Sequence, residues 1–199
     1  MSLAERLAHA LETGGAAHPV LLTGDHADLG GSGAGSLVQA AVLVPVTDRA
    51  EPGVILTQRT DSMRRHAGQV AFPGGRLDPG EDPVAAALRE AEEEIGLPRS
   101  VVTIAGVADR YRTVTGYEVT PVVAVVPPDL VFVRSEAEVA EVFEVPLGFV
   151  LDMANHVEAT VEWQGRDRHY YEISFDGRRI WGATAAMIVN LSRRLRWTA

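Results

Sequence analysis

The chain contains no cysteine among its 199 residues. Disulfides, thiolate metal sites and a cysteine nucleophile are therefore excluded, and the composition fits a cytoplasmic enzyme. No apolar run is long enough to cross a bilayer as a helix. Basic excess is missing too: 18 Lys and Arg stand against 27 Asp and Glu, a formal net charge of −9. That balance argues against an extended nucleic-acid surface, and neither a nucleic-acid nor a membrane partner is expected. The length fits one domain with additions, and 46% hydrophobic with 23% charged residues is ordinary for a globular protein.

Along the chain, Ser2 to Thr13 is helical by pattern, with Leu3, Leu7 and Leu11 on one side. Glu5, Arg6 and Glu12 interrupt any apolar core, so this is not a signal peptide but a helix that packs on the domain. Gly30 to Gly35 reads as a Gly/Ser-rich connector. The expected division is residues 1–35, helix and connector, and 36–199, one domain. Val38 to Val46, Val54 to Gln58, Val101 to Ala108 and Val119 to Val126 read as strands, with Pro52-Gly53 turning between the first two. Ala137 to Phe143 reads as a short helix, Val157 to Trp163 and Tyr170 to Phe175 as a hairpin turning at Gly165, and Ala183 to Leu195 as a closing amphipathic helix. Strands around a central helix, with another helix at the end, predict an α/β fold with a mixed sheet between helical layers.

The densest chemistry lies in Gly75 to Leu97, GRLDPGEDPVAAALREAEEEIGL. Asp82 suits an N-cap, Pro83 the first helical position, and Gly96 the stop. Val84, Leu88, Ala91 and Ile95 form a stripe that should face the core. Glu90, Glu93 and Glu94, at i, i+3 and i+4, share another face, with Ala86 and Ala87 leaving room beside it. Alone, that face is unfavourable: like charges repel, and acids sit badly in the second half of a helix. Arg89 offsets part of this by reaching Glu93. A divalent cation would offset more, because Mg²⁺ takes one or two carboxylates, waters and phosphate oxygens. Glu90 and Glu94, one turn apart, are the best-spaced pair. A lone E-x-x-E-E is usually a solvated acidic face, but seven specified positions at roughly one in fifteen each give on the order of 10⁻⁸ per window.

Gly75, Glu81, Arg89-Glu90, Glu93-Glu94 and Gly96 at these spacings resemble a complete Nudix box, with Leu97 at one aliphatic position and the smaller Ala91 at another. The resemblance implies a Nudix-type α/β/α sandwich with a mixed β-sheet, and metal-assisted attack of water on a pyrophosphate. It implies Mg²⁺ or Mn²⁺ held by Glu90 and Glu94, with Glu93 a further ligand or base, the identity of the general base staying open among the carboxylates. Arg89 would orient the glutamates and Glu81 support the loop. Glu136, Glu138 and Glu141 are candidates for an acid from another loop.

The preceding block, ILTQRTDSMRRHAGQVAFPGG from Ile55 to Gly75, resembles the signature of the coenzyme A pyrophosphatase branch, with Thr60 and Met63 as mild departures; Ile180 to Thr184 resembles that branch as well. Arg59, Arg64, His66, Gln69, Gly74 and Gly75 are the substrate-binding residues this implies, and arginine's planar fork suits phosphate. Hydrolysis of coenzyme A or an acyl derivative would give 3′,5′-ADP and 4′-phosphopantetheine. The alternatives are a Nudix enzyme acting on ADP-ribose, dinucleotide polyphosphates or nucleoside triphosphates, and a non-catalytic nucleotide sensor. The complete set of box glutamates speaks against the sensor. Tyr111, Tyr117, Trp163 and Trp181 could include an adenine-stacking ring.

Overall fold

The computed structural model describes residues 1–14, 37–61, 67–113, 115–163 and 166–196, with the backbone alone at 163, 166 and 168. The Gly30–Gly35 connector, Arg64, Arg65, His66 and Gly165 lie outside the described residues. Along the chain run helix α1 (Leu3–Thr13) and strands β1 (Val38–Thr47), β2 (Gly53–Arg59), β3 (Val70–Ala71) and β4 (Gly74–Arg76). Helix α2 (Pro83–Ile95) is followed by β5 (Thr103–Val107), β6 (Tyr111–Arg112), β7 (Tyr117–Val126) and β8 (Val139–Pro146). Helix α3 (Leu147–Leu151), strands β9 (Val157–Trp163), β10 (Arg166–Phe175) and β11 (Arg178–Trp181), and helix α4 (Ala183–Leu195) complete the order.

Strand β1 organises the main sheet. It pairs in parallel with β7 from Val38↔Tyr117 to Thr47↔Val126, and antiparallel with β2 and β4. Its side chains alternate between two cores. Ala41 and Leu43 pack with Ala87, Ala91 and Ile95 of α2, while Ala40, Val44 and Val46 pack with Leu7 of α1, Val150 of α3 and Ile188 of α4. The expected mixed sheet between helical layers is what forms. Strands β9, β10 and β11 make a separate antiparallel sheet.

Helix α1 begins with a capping box: the Ser2 side chain accepts from the Glu5 N–H and Glu5 reaches back to Ser2. Its Leu3, Leu7 and Leu11 are buried, and Arg194 of α4 donates to the Leu11 carbonyl, which ties the two helices together. Among the described residues no helix is long and apolar enough to cross a membrane.

Two expectations change. Residues 139–146 form strand β8 against β2, where a short helix was expected. Val139, Val142, Phe143 and Val145 mimic helical spacing, but β-branched and aromatic residues favour the pleated surface, and the partner strand lies far away in sequence. The spacing departs from strict alternation because of a bulge: Gln58 pairs with Glu141 and Arg59 with Val139, leaving Ala140 extra.

The buried face of α2 is also rotated from the expected stripe. Ala86, Ala87, Ala91, Glu94 and Ile95 are buried, with Val84 and Leu88 only partly so. Ala86 and Ala87 leave no free space beside the acids; they are sealed against the sheet, because their small side chains let the helix approach it closely.

The caps of α2 are as the sequence predicts. Asp82 accepts from the N–H groups of Val84 and Ala85, and Gly96 ends the helix in the left-handed region at φ 66°. Asp82→Ala should lower the unfolding free energy by about 1 kcal/mol with an unchanged denaturant slope, measured by urea titration.

Candidate active site

The site forms where the second half of α2 meets β4. Gly74 and Gly75 pair with Val42 and Ala41 of β1. A Cβ on Gly74 would lie 2.4 Å from the Ala41 carbonyl oxygen, and one on Gly75 would lie 2.4 to 2.7 Å from the Glu90 carboxylate. Glycine is needed here for close approach, and the approach brings the Gly74 N–H within reach of Glu94.

Glu94 is the most enclosed of these acids, its side chain only 6% exposed. Its Oε2 accepts from the Gly74 N–H at 3.1 Å, and its Oε1 faces Arg59 Nη1 at 3.8 Å. Burial pushes the Glu94 carboxyl up to about 7, against the downward pull of the Gly74 N–H and Arg59, while the charges of Glu90 and Glu138 push it further up.

Arg89 holds the rest together. Its Nε and Nη2 donate to the two oxygens of Glu81 at 3.0 and 2.9 Å, its Nη1 to Glu90 Oε1 at 2.8 Å, and its Nη2 also to the Arg76 carbonyl. Glu81 in turn accepts from the Asp78 N–H at the loop entrance. The Arg89 hydrogen bonds hold the Glu81 carboxyl below its ordinary range. Arg89 thus fixes Glu90 and pins the loop to the helix. The Arg76 carbonyl takes part through its backbone alone and leaves no signal in the sequence.

The predicted residues separate into groups. Glu90, Glu94, Gly74, Gly75, Arg59, Arg89 and Glu81 come together. Glu93 stands more to solvent, 62% exposed, with Arg89 at 3.7 Å. Gln69 accepts from the Arg59 N–H through its carbonyl. Of the later acids, Glu138 acts electrostatically on Glu94, Glu141 is held by Arg178 at 2.7 Å, and Glu136 is exposed. Among the aromatic candidates, Tyr111 is core, Tyr117 bonds Arg76, and Trp181 sits edge-on to Tyr170; the Trp163 side chain is outside the description. In the Ile180–Thr184 segment, Thr184 donates to the Val70 carbonyl and ties the start of α4 to the strand leading into Gly74.

Glu90 and Glu94 present hard carboxylate oxygens beside an approachable glycine backbone, a chemistry that could hold a hard divalent cation. Among the described residues no group of three or more His, Cys, Asp or Glu is arranged to hold a metal ion. Two carboxylates would leave the remaining positions of a hard divalent cation to waters and phosphate oxygens. A buried carboxyl with one N–H bond and a distant guanidinium is under-neutralised, which also fits a cation.

A Nudix domain model matches residues 37–164, and the chain belongs to the Nudix family. It is a pyrophosphohydrolase, of a family that generally uses divalent metal ions and acts on small-molecule nucleotide substrates. One relative, the uncharacterized Nudix hydrolase NudL of Escherichia coli, is 45% identical over 158 residues, spanning 79% of this chain and 82% of the relative. Among solved structures, a MutT/nudix family protein from Enterococcus faecalis has a TM-score of 0.50 at 15% identity, over 79% of this chain and 61% of that one. The Nudix hydrolase RenU of M. smegmatis is 26% identical with a TM-score of 0.49, over 58% of this chain and 81% of that one.

A buried acid with a raised pKa destabilises the fold once ionised. The unfolded chain ionises Glu94 near 4.5 and the folded one near 7, so the cost begins above 4.5 and is complete above 7. Its size is about 3 kcal/mol. Glu94→Gln should therefore be more stable than the parent at about pH 8 in EDTA, and close to it near pH 4.5, as read by urea unfolding at both pH values. A further expectation concerns Arg89→Gln, which should lower activity and Mn²⁺ affinity by about ten- to a hundredfold through loss of Glu90 orientation, measured by steady-state kinetics and calorimetry.

Proposed function

We propose that this enzyme hydrolyses the pyrophosphate of coenzyme A or acyl-coenzyme A, releasing 3′,5′-ADP and (acyl-)4′-phosphopantetheine. The observation that carries the reading is the block from Ile55 to Gly75. That block resembles the coenzyme A branch signature, and its Arg59 faces Glu94 while its Gly74 and Gly75 lie against the glutamate helix.

Glu90 and Glu94 hold Mg²⁺ or Mn²⁺ in this reading, with Glu93 as a further ligand or base. The bound cation would supply neutralisation of the leaving phosphate and a more acidic water. The chain's own groups do the positioning. Arg59, together with Arg64, His66 and Gln69 of the same block, holds phosphate oxygens; Gly74 and Gly75 let the substrate approach the backbone; Arg89, braced by Glu81, keeps Glu90 in place. Water adds to one phosphorus, the bridging P–O bond breaks, and a carboxylate of the site takes the water's proton.

A product assay tests the reading. The protein is incubated with coenzyme A, acetyl-coenzyme A, ADP-ribose and a diadenosine polyphosphate, each with Mg²⁺ or Mn²⁺, and products are identified by mass. Release of 3′,5′-ADP from the coenzyme A substrates, well above turnover of the others, is expected. Preferential cleavage of ADP-ribose or the dinucleotide would discard the coenzyme A assignment and keep the metal helix. On the preferred substrate, Glu94→Gln should reduce turnover by at least about a hundredfold with the fold retained by circular dichroism.

A further inference from the structure

Arg59 is poorly satisfied for an arginine in so enclosed a place. Its side chain is 24% exposed, and its Nε is buried with no hydrogen-bond partner among the described residues. Its approach to Glu94 Oε1, 3.8 Å, is an ion pair but too long for a hydrogen bond. Guanidinium carries five donors in a fixed fork, and leaving a buried one unmet costs free energy. The bulge beside Arg59 on β8 is a built feature: the carbonyls of Val139 and of the extra residue, Ala140, both accept from Arg134 Nη1. Bulges of this kind re-aim neighbouring side chains.

Glu94 has two oxygens. One is held by the Gly74 N–H, and the other is the one Arg59 faces. A cation that binds Glu94 therefore meets a guanidinium at the same oxygen, and two positive groups cannot share it without repulsion. We propose that Arg59 competes with the divalent cation for Glu94 Oε1 and, once displaced from it, turns its unmet Nε–H to a phosphate oxygen of the substrate. Metal occupancy and phosphate binding are then coupled through one side chain. This rests on the reading of Glu94 as a metal ligand, and not on which nucleotide is cleaved.

The two roles predict opposite signs. If Arg59 only supports Glu94, its removal weakens metal binding. If it competes, removal tightens it. Mn²⁺ binding in the absence of substrate, read by electron paramagnetic resonance at one fixed pH for all variants, separates them. Arg59→Gln should bind Mn²⁺ about tenfold tighter than the parent, the order expected for removing one screened unit charge beside the ligand, while Arg59→Lys stays close to the parent. At saturating Mn²⁺ the KM of Arg59→Gln for whichever pyrophosphate it cleaves should rise, with a smaller change in kcat. Unchanged or weaker Mn²⁺ binding by Arg59→Gln overturns the proposal.

Glu94→Gln serves as the reference. Parent-like Mn²⁺ binding by that variant overturns the ligand assignment and the proposal with it, whereas weak binding there with no tightening in Arg59→Gln overturns the proposal alone. Should Arg59→Gln fail to fold, the Nε–H resonance of Arg59 in the parent, identified by its loss in Arg59→Lys, decides the matter. It should move on Mg²⁺ titration, and a stationary signal overturns the proposal.

Discussion

Helix α2 lies against β1 and β4 through alanines, Ala86, Ala87 and Ala91, and through the bare backbone of Gly74 and Gly75. Close contact between small surfaces is the constraint on which the site depends. It brings the Gly74 N–H to Glu94, seats Glu90 over Gly75, and excludes water from a carboxylate that in solution would have no reason to be strained. Larger residues at these positions would hold the helix off the sheet and leave the glutamates as an ordinary solvated face.

The electrostatics divide the acids into two kinds. Glu81 is satisfied by Nε and Nη2 of Arg89 and by the Asp78 N–H. Glu94 is enclosed but under-neutralised, and its raised pKa marks a place where stability is given up for charge. Every Lys or Arg position in this chain is arginine, so each cation near the site is a planar fork able to hold two oxygens at once. In a protein of net charge −9, that concentrates phosphate-binding capacity where the overall field opposes it.

Much of the fold was legible because its signals are local. The capped boundaries of α2, the apolar strands β1 and β7, the hairpin of β9 and β10, and helix α4 follow from caps, turns and periodicity read within a few residues. Strand β8 was not legible. Its valines sit at helix-like spacing because of the bulge at Ala140, and the pairing that makes it a strand involves β2, some eighty positions earlier in the chain. The short strands β3 and β4 escaped for a related reason: two or three residues carry no period, and they are strands only because β2 and β1 pair with them.

At the site, the sequence by itself determined which residue types stand at which spacing: the glycine, the Arg-Glu pair, the Glu-Glu pair and the upstream basic block. Covalent order and the helical repeat suffice to put Glu90 and Glu94 one turn apart. Only the tertiary structure decided that these two glutamates differ. The rotation of α2 on the sheet turns Glu94 into the core beside Ala91 and Ile95 and leaves Glu93 mostly in water, and helix periodicity cannot fix that rotation because small alanines are compatible with either face. Tertiary structure likewise decided that Arg59, from a distant strand, faces Glu94, since long-range ion pairing depends on how the strands are stacked and bulged, and neither is written in any local stretch of residues.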